Sequence, residues 1–165
     1  MAPLLPVAHR RNGVGLPAGE AGLRPRRIVF RPTVERMSMS RVLVTGGAGF
    51  IPSNLIRHLL AHTEHDVISL DALTYAGNLE NLADVMSHPR LEFVHGDIRD
   101  AGLVREVVGG VDVIVNAAAE SHVEKSILEG ASEFVTTNVE GTQILLDAIR
   151  ETPVERFLLI SSSEV

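Results

Sequence analysis

The stretch Val42-Leu43-Val44-Thr45-Gly46-Gly47-Ala48-Gly49-Phe50-Ile51-Pro52 decides the fold, because a short apolar run passes directly into a glycine-rich turn. The run Val42–Thr45 is typical of a buried strand. Beyond the turn, apolar residues between Phe50 and Ala61 recur at the spacing of one helix face. Glycines between a strand and a helix let backbone amides approach a pyrophosphate, which the positive end of the helix then faces. The stretch therefore predicts a strand-turn-helix unit that binds a dinucleotide.

The alternation of short apolar runs and helical patterns continues to the end of the chain. Further strands are predicted at Val67–Leu70, Leu91–His95, Val111–Val115 and Arg156–Ile160. Helices are predicted at Leu79–Met86, at Asp100–Val108 with Asp100 as the N-cap, and at Ser132–Glu151, which Pro153 ends. This order predicts an α/β fold in residues 41–165, a Rossmann-type parallel sheet of about five strands with helices on both faces.

Residues 1–40 have a different composition, with five of the eight prolines, a run of arginines and no helical or strand period. One interpretation is a disordered tail, or a reading frame started too far upstream, with Met37 or Met39 as the natural start. The other is a transit peptide, since segments rich in arginine and poor in acids suit that role. The absence of an amphipathic pattern favours the first interpretation.

Acidic side chains dominate the remainder of the chain. Residues 1–40 carry seven arginines and two glutamates, whereas residues 41–165 carry eight basic and nineteen acidic side chains. A body this acidic does not favour nucleic-acid binding, and no stretch approaches the roughly 20 apolar residues of a membrane span. The sequence contains no cysteine, which excludes thiolate metal sites and is compatible with a cytoplasmic location. We therefore expect no nucleic-acid and no membrane partner.

Polar or small residues follow each predicted strand, where ligands bind in parallel sheets. Gly46 and Gly49 match a G-x-x-G-x-x-G pattern whose third position is Pro52. Asp71 follows the second strand, where a carboxylate accepts hydrogen bonds from an adenosine ribose and favours NAD over NADP. Asp97 follows the third strand and has two interpretations, an acceptor for the adenine amino group with Ile98 packed on the ring, or an ordinary loop residue.

The loops after the last two strands complete this edge. The fourth strand leads into Asn116-Ala117-Ala118-Ala119-Glu120-Ser121-His122, in which three small residues let a flat cofactor lie against the backbone. The fifth leads into Ser161-Ser162-Ser163-Glu164, a polar cluster at the position where catalytic groups sit in this architecture.

These runs resemble the extended short-chain dehydrogenase/reductase superfamily, and within it the dTDP-glucose 4,6-dehydratase family most closely. The resemblance covers residues 41–165 and none of residues 1–40. Its glycine and alanine motifs are superfamily-wide, whereas the runs Leu73-Thr74-Tyr75-Ala76-Gly77-Asn78 and Glu120-Ser121-His122-Val123 are more specific to the dehydratases. Further matches are Gly96-Asp97-Ile98, Thr137-Asn138-Val139-Glu140-Gly141-Thr142 and Ile160-Ser161-Ser162-Ser163-Glu164-Val165.

The resemblance implies a tightly held NAD that oxidises a nucleotide-linked hexose at C4, promotes loss of water across C5–C6 and returns hydride to C6. Its implied cofactor contacts follow the chain: Phe50 and Ile51 at the pyrophosphate, Asp71, Ala72, Leu73 and Thr74 at the ribose, Asp97 and Ile98 at the adenine, and Ala117, Ala118, Ala119, Ser121 and Thr137 along the cofactor. Ser121 would also contact the substrate, Ser162 would bond the sugar O4, and Glu164 would remove the C5 proton. The full-length form is expected to be a homodimer.

Ser163 departs from the dehydratase pattern, which has an aspartate there to protonate the leaving hydroxyl. A serine is too weak an acid for that task, and the arrangement also resembles GDP-mannose 4,6-dehydratases and UDP-glucuronate decarboxylases; a 4-epimerase is a further alternative. The family's Tyr-x-x-x-Lys pair is expected after Glu164, but Tyr75 is the only tyrosine and Lys125 the only lysine. We therefore expect an N-terminal part that lacks the substrate domain and is inactive alone, or else a non-catalytic nucleotide-binding remnant.

Two further clusters have structural rather than functional interpretations. His58 and His62 lie one helical turn apart without a third ligand at an obvious spacing, so we predict no metal site. The acidic stretch from Glu120 to Glu133 is expected to be a solvated loop and helix start.

Overall fold

The computed structural model describes residues 39–122 and 130–161. Within them, five parallel strands form one sheet in the order β3-β2-β1-β4-β5. The strands are β1 (Arg41–Thr45), β2 (Asp66–Asp71), β3 (Leu91–His95), β4 (Val113–Asn116) and β5 (Arg156–Leu159). The order places β1 at the centre, so the glycine turn that follows it lies between the loops after β2 and β4. The predicted Rossmann-type α/β fold is confirmed.

Successive residues of β1 point to opposite faces of the sheet, and each face has its own core. Leu43 belongs to a cluster with Ile68, Ile114 and Leu145. Val42 and Val44 belong to a second cluster, which includes Ile56, Leu60 and Leu82. Two apolar faces explain why the central strands read as continuous apolar runs, as expected for a parallel sheet covered on both sides.

The helices are α1 (Phe50–His62), α2 (Ala101–Val108) and α3 (Thr142–Glu151), with a short 3₁₀ helix at Leu79–Leu82. The predicted cap of α2 is confirmed, because the Asp100 carboxylate accepts hydrogen bonds from the amides of Gly102 and Leu103. Pro52 is buried in the first turn of α1, where the backbone amides have no partner within the helix and a proline removes no bond.

Several predicted limits differ by one residue, and two predicted elements differ by more. The helix predicted at Leu79–Met86 is a 3₁₀ helix of four residues followed by turns, because its amides bond to carbonyls three residues back. The strand predicted at Val111–Val115 begins at Val113 and ends at Asn116. The reason for the later start is that the Asp112 carboxylate accepts a hydrogen bond from the Arg41 amide, which holds this residue in the turn before β4.

The helix predicted at Ser132–Glu151 is continuous in space but not α-helical throughout. An α-helical turn at Ser132–Phe134 leads into a π-helical segment, Val135–Gly141, which leads into α3. Gly141 lies against Ile98, so that a Cβ here would come within 2.6 Å of the Ile98 Cδ1. The π-helical segment brings Thr137 and Asn138 to the edge of the sheet where the loops after β3 and β4 end.

Arg90 closes the C-terminal end of α1. Its guanidinium donates hydrogen bonds to the backbone carbonyls of Leu60, Thr63 and His65 at 2.6–2.8 Å. Helix-end carbonyls carry partial negative charge and no helical partner.

Arg90→Met should therefore lower the free energy of unfolding by about 2 kcal/mol, the size expected when charge-assisted bonds to partly buried carbonyls are removed. Urea denaturation measures it. Arg150→Met is the control, because the Arg150 side chain is 83% exposed, and an equal loss in both variants would contradict the capping role.

Candidate functional site

A cleft runs along the edge of the sheet where all five strands end. It is formed by the loops after β1, β2, β3 and β4 together with the start of the helix that precedes α3. Its walls consist mainly of small and acidic residues: Gly46, Gly49, Leu70, Asp71, Ala72, Thr74, Ala76, Gly77, Gly96, Asp97, Ile98, Arg99, Ala118, Ala119, Glu120, Glu133 and Thr137. Most of the residues predicted to hold a cofactor are therefore brought together in one place.

At the floor of the cleft, the turn that follows β1 lies close to the loop that follows β4. The Thr45 hydroxyl accepts hydrogen bonds from the amides of Ala117 and Ala118, both at 3.1 Å, and donates to the Asn116 side chain at 2.6 Å. Gly46 has a φ of +68°, and a Cβ there would lie 2.9 Å from the Ala118 Cα. A residue without a side chain is thus required on two grounds, conformation and space.

Gly47, the next residue of the turn, lies against Ser69 of β2. A Cβ on Gly47 would lie 2.1 Å from the Ser69 Oγ. Ser69 is fully buried in β2, and its hydroxyl has no hydrogen-bond partner among the described residues. The turn is therefore packed against backbone on one side and against a buried side chain on the other.

Asp71 links the loops after β1 and β2. One carboxylate oxygen accepts a hydrogen bond from the Ala48 amide at 2.9 Å, and the other accepts one from the Leu73 amide at 2.7 Å. Leu73 has a φ of +51°, a conformation that is uncommon for a leucine and that aims its amide at the carboxylate. Asp71 is 7% exposed. Each oxygen keeps further acceptor capacity, so the carboxylate can hold the two loops and still accept a bond from a ligand.

Asp97 and Arg99 form an ion pair on the wall of the cleft below β3. The Arg99 guanidinium donates to both Asp97 oxygens, at 2.6 Å for the shortest contact, and its amide donates to the same carboxylate at 2.9 Å. Arg99 also reaches the Thr136 hydroxyl at 3.4 Å. These hydrogen bonds from Arg99 hold the pKa of Asp97 below its usual range. The wall therefore presents an ionised carboxylate at neutral pH.

The lowered pKa of Asp97 predicts a pH dependence of stability. The ionised carboxylate contributes stability above its unfolded pKa of about 4, and that contribution is lost as the pH falls through the lower folded pKa. The wild type should thus exceed Arg99→Met in free energy of unfolding at pH 7, by less than about 1 kcal/mol because both side chains are partly solvated. The difference should shrink as the pH falls from 7 towards 2. Denaturant titrations between pH 7 and pH 2 measure the difference. Arg105→Met is the control, because Arg105 belongs to an ion pair in which both side chains are more than half exposed. A constant difference from pH 7 to pH 2 would contradict the pairing.

Glu120 contradicts the expectation of a solvated acidic loop. The residue is 6% exposed, and its Oε2 atom has no hydrogen-bond partner among the described residues. Its backbone is held on both sides by one side chain, because Asn138 accepts from the Glu120 amide at 2.8 Å and donates to the Glu120 carbonyl at 3.0 Å. Glu133, by contrast, is exposed, as predicted.

Five predicted cofactor residues lie outside the wall of the cleft. Phe50 and Ile51 project from the first turn of α1, and their side chains are 80% and 68% exposed. Ala117 bonds to Thr45 through its amide. Ser121 is exposed beyond Glu120, and Leu73 acts through its amide on Asp71 as described above.

Ser162, Ser163 and Glu164, the predicted catalytic residues, lie outside the described part of the chain. The wall also includes residues that were not predicted from the sequence: Leu70, Ala76, Gly77, Gly96, Arg99, Glu120 and Glu133. The rings of Tyr75 and His122 meet edge to face, with centroids 6.0 Å apart, and this contact was not predicted either. This contact joins the loops after β2 and β4. No local sequence signal indicates a contact between residues this far apart in the chain.

Within residues 39–122 and 130–161, no group of three or more His, Asp or Glu side chains is arranged to hold a metal ion. The rings of His58 and His62 lie 4.6 Å apart on α1. In the same part of the chain, no helix combines the length and the apolar character needed to cross a membrane.

The sequence of this chain is similar to those of known proteins. The model of a family described as the NAD dependent epimerase/dehydratase family matches residues 42–165. The low-salt glycan biosynthesis protein Agl12 of Haloferax volcanii is 59% identical over 124 residues, which cover 75% of this chain and 40% of that protein. A dTDP-glucose 4,6-dehydratase of Streptomyces griseus is 52% identical over 129 residues, covering 76% of this chain and 39% of that protein.

Solved structures show the same similarity. The structure of DesIV, a dTDP-glucose 4,6-dehydratase from Streptomyces venezuelae with NAD and TYD bound, superposes with a TM-score of 0.68 at 57% identity and covers 71% of this chain and 38% of that chain. The chain therefore spans about two fifths of the length of the relatives that it matches.

Proposed function

Since the chain belongs to the NAD dependent epimerase/dehydratase family, we propose that residues 41–165 form the NAD-binding part of a nucleotide-sugar dehydratase of the dTDP-glucose 4,6-dehydratase type. The reaction converts a nucleotide-linked hexose to its 4-keto-6-deoxy form, and the complete enzyme acts as a homodimer in the cytoplasm. The observation that carries the proposal is the cleft described above, in which the Gly46 turn meets Ala118 beside the buried carboxylate of Asp71.

Three features of the cleft fit a dinucleotide. The approach of Gly46 to Ala118 leaves a turn without side chains, against which a pyrophosphate can lie. Asp71 is fixed by two amides and keeps acceptor capacity for the two hydroxyls of a ribose. The buried Glu120 carboxylate has an oxygen without a partner among the described residues. NAD, when bound, would take a hydride from the sugar and return it.

The family resemblance supplies proposed roles for the other predicted residues, five of which lie outside the wall of the cleft and three outside the described residues. Gly46, Gly49, Phe50 and Ile51 border the pyrophosphate, while Asp71, Ala72, Leu73 and Thr74 surround the adenosine ribose. Asp97 and Ile98 contact the adenine, and Ala117, Ala118, Ala119, Ser121 and Thr137 line the cofactor. Ser121 and Ser162 contact the nucleotide-sugar substrate, Glu164 removes the C5 proton, and Ser163 stands at the position of the acid.

Calorimetric titration of the 165-residue chain tests the binding half of this proposal. We expect saturable binding of NAD with one site per chain. NADP should bind at least tenfold more weakly, because its 2′-phosphate would lie against the Asp71 carboxylate. AMP is a useful control, since it contains the adenosine and one phosphate only. Absence of NAD binding, or equal affinity for NAD and NADP, would reject the proposed site.

Ser163 supports a second candidate in the same family. A serine at the position of the acid departs from the dTDP-glucose dehydratase pattern, because it is too weak an acid to protonate the leaving hydroxyl. The arrangement resembles UDP-glucuronate decarboxylases and GDP-mannose 4,6-dehydratases, and 4-epimerisation is a further alternative. Incubating a protein that extends this chain to the length of its relatives with dTDP-glucose and, separately, with UDP-glucuronate distinguishes these reactions. A 4-keto-6-deoxy product supports the dehydratase. Turnover of UDP-glucuronate alone would replace it with the decarboxylase.

A further inference from the structure

Ala48 is the only residue with a side chain in the turn Gly46-Gly47-Ala48-Gly49, and both polar groups of its backbone are bonded to residues at or beyond the end of β2. Its amide donates to Asp71, as described above. Its carbonyl accepts two hydrogen bonds, one at 2.8 Å from the Asn81 Nδ2 atom and one at 3.1 Å from the Asn78 amide. Ala48 is fully buried, so these three bonds take the place of water. The turn is therefore anchored at its centre.

The anchoring of Ala48 affects the amides that follow it in the chain. A turn made largely of glycines does not fix its own conformation, because a residue without a Cβ has a wide range of backbone angles. The turn leads directly into α1, whose first amides have no partner within the helix. These amides are the groups from which a pyrophosphate would accept hydrogen bonds. A donor that fixes Ala48 therefore also fixes the direction in which the first amides of α1 point.

Asn81 is itself held firmly on the side away from the turn. It belongs to the 3₁₀ helix Leu79–Leu82, and its neighbour Leu82 is fully buried in the core. Its backbone carbonyl accepts a hydrogen bond from the Arg57 guanidinium of α1, which also donates to both oxygens of Asp84 at 2.8–3.1 Å. These bonds from Arg57 hold the pKa of Asp84 below its usual range, so the pair is ionised at neutral pH. The Asn81 side chain thus extends from a fixed backbone to the Ala48 carbonyl.

We propose that Asn81 is a positioning residue for the pyrophosphate of a bound dinucleotide, because its Nδ2 donor holds the Ala48 carbonyl and so orients the first amides of α1. The proposal rests on the NAD-binding function proposed above and gives a role to a residue outside the wall of the cleft. In this role Asn81 makes no contact with the phosphates and acts through Ala48. The Asn78 amide still bonds to Ala48 when the Asn81 side chain is removed, so the turn is loosened and the fold is kept.

Asn81→Ala and Asn78→Ala form a matched pair of variants in the 165-residue chain. The first removes the side-chain donor to Ala48, whereas the second makes the same change in the same segment and removes an acceptor for the Glu80 amide. Calorimetry should show a dissociation constant for NAD that is about tenfold higher for Asn81→Ala and changes less than twofold for Asn78→Ala. Both variants should lower the melting temperature by less than about 5 °C, because each loses one hydrogen bond.

A comparison of ligands separates positioning from a general loss of stability. ADP-ribose contains the pyrophosphate and should lose about tenfold in affinity for Asn81→Ala, as NAD does. Adenosine has no phosphate, and its affinity for the variant, followed by NMR titration, should stay within twofold of its affinity for the wild type. An equal loss for adenosine and NAD would overturn the proposal, because the effect would then lie outside the pyrophosphate site. An unchanged affinity of Asn81→Ala for NAD would overturn it as well.

Asn81→Asp keeps the role testable if Asn81→Ala does not fold. An aspartate has the same volume, but an acceptor oxygen replaces the donor, so the same loss of affinity for NAD and ADP-ribose is expected. Binding of NAD to Asn81→Asp as tight as to the wild type overturns the role of Asn81 alone. If the wild-type chain does not bind NAD, the proposed function itself fails, and that result is distinct from a wild type and variants that bind NAD equally well.

Discussion

Gly46→Ala is expected to abolish measurable NAD binding and to lower the free energy of unfolding by about 3 kcal/mol. The first cause is conformational, because Gly46 has a φ of +68°, where an L-residue is strained by about 1 kcal/mol. The second is steric, since the new Cβ would lie 2.9 Å from the Ala118 Cα and 3.2 Å from the Ala117 carbonyl oxygen. Both neighbours are backbone atoms, which cannot move without disturbing the Thr45 hydrogen bonds. The wall that would face a pyrophosphate is therefore displaced together with the turn.

Gly130→Ala separates the two causes. Gly130 has a φ of +97°, but a Cβ there would meet no atom of the described residues within 4 Å. This variant should lose only the conformational contribution, about 1 kcal/mol, and should bind NAD like the wild type. Chemical denaturation and calorimetry of the two variants provide the comparison. Equal losses of stability in both would show that the close approach to Ala118 contributes nothing.

Asp71→Ala should lower the free energy of unfolding by about 2–4 kcal/mol and abolish NAD binding. The Ala48 and Leu73 amides, which now bond to the carboxylate at 2.9 Å and 2.7 Å, would be left without acceptors. Each buried, unsatisfied amide costs about 1–3 kcal/mol. The positive φ of Leu73 would also lose the interaction that stabilises it. Thermal and urea denaturation measure the loss.

Asp71→Asn is the matched variant, because it keeps the volume and one acceptor oxygen but carries no charge. It should recover about half of the lost stability, since one of the two amides retains a partner. It should also narrow the preference for NAD over NADP, because the negative charge that repels a 2′-phosphate is gone. Asp147→Asn, on the solvent side of α3, controls for a general loss of acidic charge. A variant that keeps full stability would show that the carboxylate does not hold the two loops.

The fold could be predicted because the central strands β1, β2 and β4 are buried on both faces. A glycine follows β1 and β3, whereas β2 ends at Asp71 and β4 at Asn116. The limits of Leu91–His95 matched the prediction residue for residue. The β4 strand did not, because the Arg41–Asp112 bond joins residues 71 apart in the sequence. Likewise, no local period distinguishes the π-helical segment Val135–Gly141 from an ordinary helix, since the contact of Gly141 with Ile98 is tertiary.

Much of the site was predictable from the loops at the carboxyl ends of the strands. Asp71, Asp97 and Ala118 lie in the cleft because parallel strands end at one edge. The burial of Glu120 was not predictable, because the hydrogen bonds that hold its backbone come from Asn138, which lies 18 residues further along the chain. Arg99 was overlooked for a similar reason, since its role follows from Asp97 and Thr136 together. The residues predicted from the sequence thus belong to the glycine turn and the strand ends. Glu120 and Arg99, which were missed, take part in contacts between separate segments of the chain.

The contact between Gly47 and Ser69 restricts how this turn can change during evolution. A side chain on residue 47 would meet the Ser69 hydroxyl at 2.1 Å, and that hydroxyl forms no described hydrogen bond that would preserve it. Loss of the hydroxyl, as in Ser69→Gly, is therefore accessible as a first step, whereas Gly47→Ala on the present background is not. The two positions should drift in a fixed order, with the strand residue changing before the turn residue. The residue at position 69 of β2 therefore limits which residues position 47 of the turn can carry.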